Sequence, residues 1–162
     1  MPVTTVPRPP VRLIAMLVMG AALAGCSFGF GGGGGGLAPG LVAQMDRPGA
    51  VLDKREALNI INHYRATTGA PALSGDSGLD SLAQTLATQY SSSGKPPSLP
   101  QNARAIRISA GYSNFAETFS GWRNSPADAA VLADAAAHRG GVGVAYNPSS
   151  DYGTYWVLLL AD

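Results

Sequence analysis

Two β-type segments end the sequence, and a turn separates them. The first, 141–146, alternates glycine with Val142 and Val144, and the second, 154–160, is rich in aromatic and branched side chains. The turn residues 147–153 between them indicate an antiparallel hairpin. The periodic segments before the hairpin have helical spacing, so helices come first and strands last. That order predicts an α+β domain, in which helices pack on an antiparallel sheet.

The predicted helices have recognisable starts and ends. The first begins at Asp53, which has capping-box spacing to Glu56, and closes at Gly69. The second carries apolar residues at helical spacing from Leu79 to Tyr90. The other elements are two short helices, a proline- and serine-rich loop, and a segment without a clean period: 115–124 and 126–137, 91–100, and 103–109. The last of these is open between a short strand and a helical turn.

The N-terminus has the layout of an export signal. A basic start precedes an apolar stretch, 13–24, which is too short for a membrane-spanning helix because such a helix needs about 20 apolar residues. Residues 23–26, Leu-Ala-Gly-Cys, resemble the lipobox of bacterial lipoproteins, in which the cysteine is acylated with chains such as palmitate. We therefore expect residues 1–25 to be a cleaved lipoprotein signal peptide and Cys26 to carry lipid. The alternative is an ordinary secretory signal with an incidental cysteine.

Glycine dominates the residues that follow Cys26, including the run 31–36. A segment of this composition buries too little surface to offset its ordering entropy. We therefore expect residues 26–52 to be a flexible tether and residues 53–162 to form the folded domain. The acylated cysteine attaches the protein to membrane lipid, and Ser27 beside it favours the outer membrane of a cell envelope under the sorting rule for such lipoproteins.

Charge and cysteine content exclude several classes of function. The chain has 11 Lys and Arg against 10 Asp and Glu, and no basic run follows the signal segment. Nucleic-acid binding therefore has no electrostatic source. A single cysteine excludes an internal disulfide and a cysteine-based zinc site. With 46% hydrophobic and 13% charged residues, the chain can bury one core and is expected to be a monomer.

Three blocks of the sequence, in order, resemble the bacterial form of the CAP superfamily, also called SCP or cysteine-rich secretory, antigen 5 and pathogenesis-related proteins. The first, 58–73, is similar to the family's opening helix and its glycine-proline-leucine turn. The second, 122–126 (Trp-Arg-Asn-Ser-Pro), is similar to the bacterial Trp-x-x-Ser-Pro-x-His stretch. The third, 141–145 with 155–157, is similar to the final strand pair. The resemblance implies an α-β-α sandwich over about residues 53–160.

The resemblance also implies where a site lies, and the sequence departs from the family pattern there. Family members place two histidines and two acidic residues around a central cavity that can bind a divalent metal such as zinc. The histidine expected after Ser-Pro-x is Asp128 here, and the earlier histidine has no counterpart in 91–95. Glu117 corresponds to a cavity glutamate, although it stands closer to Trp122 than the family pattern would put it. We therefore expect no metal and no cofactor.

Glu117 and Asp128 are the candidate site residues. Two carboxylates lining a cleft can hold a metal or act as general acid and base. The structural alternative is that Asp128 caps a helix and Glu117 accepts backbone hydrogen bonds. His63 and His138 fall outside the family's cavity positions and are expected at the solvent edge or hydrogen-bonded. Ser125 is expected to cap the helix after it rather than to act as a nucleophile.

Five aromatic residues are expected in the core with hydrogen-bonded polar tips, namely Tyr64, Tyr90, Trp122, Tyr155 and Trp156. Arg123 is expected to shield the ring of Trp122.

The lipid anchor and the missing histidines predict an envelope lipoprotein whose domain binds a ligand or partner without catalysis. The expected partner is a small lipid or another envelope component. A second hypothesis is a carboxylate-dependent hydrolase that uses Glu117 with Asp128 or His138, with or without a metal. A third is a purely structural spacer.

Overall fold

The computed structural model describes residues 36–162, which form five helices and four strands. The helices are α1 (Pro39–Val42), α2 (Lys54–Thr67), α3 (Ser77–Ser93), α4 (Phe115–Asn124) and α5 (Pro126–Leu132). The strands are β1 (Ser74–Gly75), β2 (Ala105–Ala110), β3 (Arg139–Tyr146) and β4 (Thr154–Ala161). The sheet order is β1-β3-β4-β2, with β1 parallel to β3 and the other neighbours antiparallel.

The sheet lies between two layers of helix. Along β4, Trp156, Leu158 and Leu160 join the core cluster formed with α2, α4 and α5. Val157 and Leu159 join the cluster beneath α3 on the opposite face. This alternation is what a strand buried on both faces requires. The α+β class and the α-β-α sandwich expected from the sequence are both confirmed.

Helix α2 begins where the capping box predicts. The Oδ1 atom of Asp53 accepts the N–H of Glu56 at 3.0 Å. The helix ends at Thr67, slightly before the predicted end. Gly69 follows with φ of 76°, a left-handed conformation that favours glycine.

Helix α3 packs directly on β3 through two glycines. A Cβ atom on Gly143 would lie 2.3 Å from the carbonyl carbon of Ala83, and one on Gly141 would lie 2.4 Å from the backbone nitrogen of Asp80. Neither position has room for a side chain. The close approach of the helix therefore explains why glycine alternates with valine in this strand.

The loop predicted at 91–100 starts too early, because α3 continues through Ser93. The hydroxyls of the last serines donate to carbonyls one turn earlier, as from Ser93 to Gln89 at 2.8 Å. Such bonds let serine continue a helix. Gly94, in a left-handed conformation with φ of 65°, ends it.

The structure also assigns the segment 103–109, shortens the predicted helix 126–137 and adds a two-residue strand. Most of the open segment 103–109 lies in a strand, β2, which begins at Ala105 and pairs with β4. The helix predicted over 126–137 stops at Leu132, and Asp134 then accepts the N–H of Ala136 at 3.0 Å in the following turn. The two-residue strand β1 is too short to show any sequence period.

Side chains of α3 cover the edge of β3 beyond its short pairing with β1. The Oδ1 atom of Asp80 accepts the N–H of Val142 at 2.8 Å. The Gln84 amide donates to the Val144 carbonyl at 2.8 Å and accepts the N–H of Val144 at 3.4 Å. These bonds take the place of a neighbouring strand along this edge.

Residues 39–52, here called the N-terminal arm, pack on the domain. Leu41, Met45 and Leu52 are buried in the larger core cluster. The Met45 N–H also donates to the Ser113 carbonyl at 2.7 Å.

The two ends of the arm meet. A Cβ atom on Gly40 would lie 2.8 Å from the Cβ of Asp53, so the arm leaves and returns to one point, as an Ω-loop does. The tether predicted over 26–52 is therefore wrong in its C-terminal part, because three apolar side chains there reach the core. Residues 26–35, the signal segment 1–25 and the lipidation site Cys26 lie outside the described residues.

Arg65 is fully buried in the core. Its Nε donates to the Pro71 carbonyl at 2.7 Å. Its Nη1 and Nη2 donate to the carbonyls of Leu132 at 2.7 Å and Ala137 at 2.9 Å. Burial lowers the pKa of this guanidinium from its ordinary value, and the charge of Asp134 opposes that effect. Three separate chain segments are thus fastened to α2 by one side chain.

Candidate functional site

Asp128 lies where the sequence resemblance places a site residue, in the first turn of α5. Its Oδ1 is 3.1 Å from the Nε of Arg107 in β2. That nitrogen is buried and makes no hydrogen bond, so the contact with Asp128 is an ion pair without hydrogen-bond geometry. Arg107 is held in place by its Nη1, which donates to the carbonyl of Ile106 at 2.6 Å. A fixed positive charge therefore stands beside the carboxylate.

The helix-capping roles expected at the start of α5 are replaced by other contacts. Ser125 occupies the N-cap position, but its hydroxyl makes no capping hydrogen bond. Pro126 starts the helix because its fixed φ suits the first position and it has no N–H to satisfy. Asp128 pairs with Arg107 rather than capping the helix. The capping predictions for Ser125 and Asp128 are therefore wrong.

Glu117 is exposed in the first turn of α4. Its Oε2 accepts the N–H of Ser113 at 3.2 Å, and its own N–H donates to the Oδ1 of Asn114 at 3.0 Å. This reciprocal arrangement resembles a capping box at the helix start. The structural interpretation of Glu117, as an acceptor of backbone hydrogen bonds, agrees with these contacts.

Glu117 and Asp128 lie on different helices, in the first turns of α4 and α5. They also have different partners, one a backbone amide and the other a guanidinium. Within residues 36–162, no group of three or more His, Cys, Asp and Glu side chains could hold a metal ion.

Both histidines are exposed, as expected. His63, on α2, lines a shallow hollow of about 250 Å³ with Phe119 of α4. His138 precedes β3, and its backbone joins neighbouring segments: its N–H donates to the Ala161 carbonyl at 2.8 Å, and its carbonyl accepts the N–H of Ser74 at 2.8 Å.

The aromatic residues largely follow the prediction. Both tryptophans are buried, and their indole N–H groups donate to backbone carbonyls: Trp122 to Ile108 at 3.1 Å, and Trp156 to Tyr112 at 2.9 Å. Tyr155 is also buried, whereas the other two predicted core tyrosines are half-buried. The core assignment is therefore correct for three of the five residues.

Two further aromatic contacts bear on the surface. The pKa of Tyr90 is raised by burial and by the neighbouring phenols of Tyr155 and Tyr152. Arg123 lies over the ring of Phe119, 6.0 Å from its centroid. The expectation that Arg123 shields Trp122 is therefore wrong, because α4 points its side chain toward the ring one turn earlier.

Two hollows lie away from Asp128. One, of about 400 Å³, is bounded by α2, β1, β3 and the start of α3, and we call it the α2 groove. Its lining includes Lys54, Arg55, Leu58, Asn59, Gly75 and Asp80. The other, of about 480 Å³, lies between the N-terminal arm, α3 and the turn after β3. Sequence reasoning missed both, because each is assembled from segments far apart in the chain.

The described residues thus define an α-β-α sandwich domain in which the carboxylate at the expected site is paired with an arginine. The family model described as "CAP: Cysteine-rich secretory protein family" matches residues 58–160. The chain belongs to the CAP family.

Solved structures share this fold at low sequence identity. An extracellular SCP-domain protein from Bacillus anthracis str. Ames is 16% identical, with a TM-score of 0.56 over 67% of this chain. An outer surface protein from Borrelia burgdorferi is 17% identical, with a TM-score of 0.52 over 67% of this chain. The protein MpPR-1i is 21% identical, with a TM-score of 0.53 over 66% of this chain.

The match covers different shares of these proteins. It spans 40% of the Bacillus chain, 94% of the Borrelia chain and 83% of MpPR-1i. A comparison with curated protein sequences finds no match. None of the helices within 36–162 is long and apolar enough to cross a membrane.

Proposed function

We propose that this chain is a lipid-anchored protein of the bacterial cell envelope whose CAP domain binds a ligand or partner without catalysing a reaction. The observation that carries the non-catalytic part is the ion pair between Arg107 and Asp128, 3.1 Å apart. The carboxylate already has its counter-charge. A guanidinium at this distance also repels a divalent cation, which disfavours metal-assisted chemistry at Asp128.

The contacts of Glu117 support the same conclusion. A two-group acid-base mechanism needs both groups within reach of one substrate atom. Glu117 is exposed, accepts a backbone N–H and lies in the first turn of α4, whereas Asp128 lies on α5 and pairs with Arg107. Its contacts stabilise the start of α4.

The sequence around Cys26 supports the anchor. The short apolar stretch and the Leu-Ala-Gly-Cys residues fit a lipoprotein signal, and Ser27 fits sorting to the outer membrane. Two structurally similar proteins are described as extracellular and as an outer surface protein, which supports an envelope location. Because the N-terminal arm is docked, the chain from Cys26 to Leu37 can hold the domain no more than about 40 Å from the lipid, even fully extended.

Metabolic labelling with a palmitate analogue tests the anchor. The parent chain should take up label and sediment with membranes, whereas Cys26→Ser should do neither. Ser27→Ala, which alters the neighbouring residue and keeps the sulfur, should remain labelled. Equal labelling of Cys26→Ser and the parent would contradict the proposal.

Activity assays test the non-catalytic part separately. The purified chain should show no hydrolysis of ester, peptide or glycoside substrates above that of the buffer. Hydrolysis that is present in the parent and lost in Glu117→Gln or Asp128→Asn would show that the carboxylates are catalytic. Glu56→Gln, another first-turn glutamate, is the control for effects of charge alone.

A further inference from the structure

Neither backbone conformation nor close packing requires glycine at position 75, where the α2 groove is open. Gly75 lies outside the left-handed region, so other residues could adopt its φ. A Cβ atom there would make only an ordinary contact with Leu58, at 3.6 Å. A larger side chain would instead project into the groove. The missing side chain therefore keeps open a space that the fold itself could fill.

Some polar side chains around the groove are already hydrogen-bonded, and others are available to a ligand. Asn62 is fully used: its amide donates to the Leu73 carbonyl at 2.9 Å and accepts the N–H of Leu73 at 2.8 Å. Asp80 is used too, through its bond to β3. Arg55 and Asn59 are exposed one turn apart on α2 and make no hydrogen bond or ion pair within residues 36–162. A cation and an amide are thus available at the rim.

The positive charges of Lys54 and Arg55, at the rim of the groove, do not stabilise α2. Lys54 and Arg55 are its first two residues, where positive charge opposes the helix dipole. One turn later stand Leu58 and Asn59, so neither cation has an acidic partner on its own helix. The Nζ of Lys54 comes only within 3.8 Å of Asp80. Arg55 therefore borders the groove without an acidic partner within residues 36–162, and Lys54 has only a long ion pair with Asp80, which also lines the groove.

We propose that the α2 groove binds an acidic saccharide. Arg55 and Lys54 hold its acid group, since a guanidinium pairs with a carboxylate through two N–H groups. Asn59 bonds to its hydroxyls, and the nonpolar face of the sugar ring lies on Leu58 and the bare backbone of Gly75. The groove volume of about 400 Å³ lies within the range of small-molecule sites.

The mixed lining distinguishes this ligand from simpler ones. A free phosphate would leave the apolar floor and the amide of Asn59 unused. An acyl chain would leave both cations unpaired. The inference rests on the proposed ligand-binding role of the domain and names the ligand class.

Amide chemical shifts of the full-length chain in mild detergent provide the test. N-acetylmuramic acid should shift the amides of Gly75, Gly140 and Asn59. N-acetylglucosamine, the same ring without the acid, should bind at least about tenfold more weakly. Arg55→Gln should weaken binding of the acidic sugar about tenfold, whereas Arg47→Gln, an exposed arginine of the arm, should leave it unchanged.

A second variant tests whether the sugar binds in the groove itself. Gly75→Val places a side chain in the groove and should abolish the shifts while the other amides keep their positions. Equal binding of the two sugars, shifts centred outside the groove, or unchanged binding by Arg55→Gln would overturn the proposal. Identical shifts with inorganic phosphate alone would also overturn it, by showing an anion site without sugar recognition. The titration does not depend on acylation of Cys26, so the sugar proposal and the anchor proposal fail independently.

Discussion

The two faces of the sheet are packed by different means. Beneath α3, helix and strand approach so closely that Gly141 and Gly143 are required, and the buried cluster consists of Leu, Val and Ala side chains, with Tyr155 packed on Tyr90 near the end of the helix. On the other face, α2 and α4 pack over large side chains such as Phe115, Trp122 and Trp156. The first face is determined by backbone shape, and the second by side-chain volume and by hydrogen bonds from one buried arginine.

Replacing that arginine should have the largest effect. Arg65→Met removes the donors to three backbone carbonyls and leaves them buried, so we expect a loss of about 4 kcal/mol in the free energy of unfolding. Urea unfolding followed by circular dichroism measures it. Arg65→Lys retains a cation with fewer directed donors and should fall between the parent and Arg65→Met. A loss below about 1 kcal/mol in Arg65→Met would show that the carbonyls find other partners.

Adding one methyl group to the face of the sheet beneath α3 should lower the free energy of unfolding almost as much. Gly143→Ala places a Cβ against the backbone of Ala83, which cannot move as a side-chain tip can, and should cost about 3 kcal/mol. Gly75→Ala adds the same atom where it meets only Leu58 at 3.6 Å and is the matched control. Similar melting temperatures for the two variants would contradict the close-packing explanation.

The covered edge of β3 should give a smaller effect. Gln84→Leu leaves the N–H and carbonyl of Val144 without their side-chain partner, so we expect a loss of about 1–2 kcal/mol. The exposed edge should also promote concentration-dependent association, which sedimentation measures. Gln89→Leu, at an exposed position of the same helix, should remain monomeric.

Lowering the pH should produce the smallest change in stability. The pKa of Asp76 is lowered by the N–H of Leu79 and then by Arg139, and the pKa of Asp134 is lowered chiefly by its bond to Arg104. Because both folded pKa values lie below the ordinary 3.8, their stabilisation is present above that pH and is lost as the pH falls through the folded values.

The urea midpoint should therefore be flat from neutral pH to about pH 5 and then decline. Asp76→Asn should reduce this decline, whereas Asp151→Asn, at an exposed position on the turn after β3, should not. An undiminished decline in Asp76→Asn would assign the acid sensitivity to other groups.

Local signals in the sequence were sufficient for much of the fold. The start of α2 is predicted correctly because Asp53 and Glu56 are close in sequence, and the hairpin because turn-forming residues separate two β-type segments. The sequence misplaces the N-terminal arm because the glycine run 31–36 precedes it directly and its three apolar residues show no helical or strand period. Their burial depends on contacts with α2 and α4, which no local pattern encodes.

The site was less predictable than the fold. The family pattern identifies Asp128, but its partner Arg107 lies on a segment, 103–109, that shows no clean helical or strand period. Knowing that pair requires the position of β2 beside α5. The α2 groove was missed for the same reason, since Gly75 and Arg55 meet only after β1 has paired with β3.

The arm also determines how a mechanical pull on the chain reaches the domain. Force applied ahead of Gly36 acts first on Leu41 and Met45, which are seated in the core. Since the ends of the arm meet at Gly40 and Asp53, a pull that detached the arm would lengthen the chain by about 45 Å. Detaching the arm would also uncover part of the core, so the attachment of the domain and its packing depend on the same three side chains, Leu41, Met45 and Leu52.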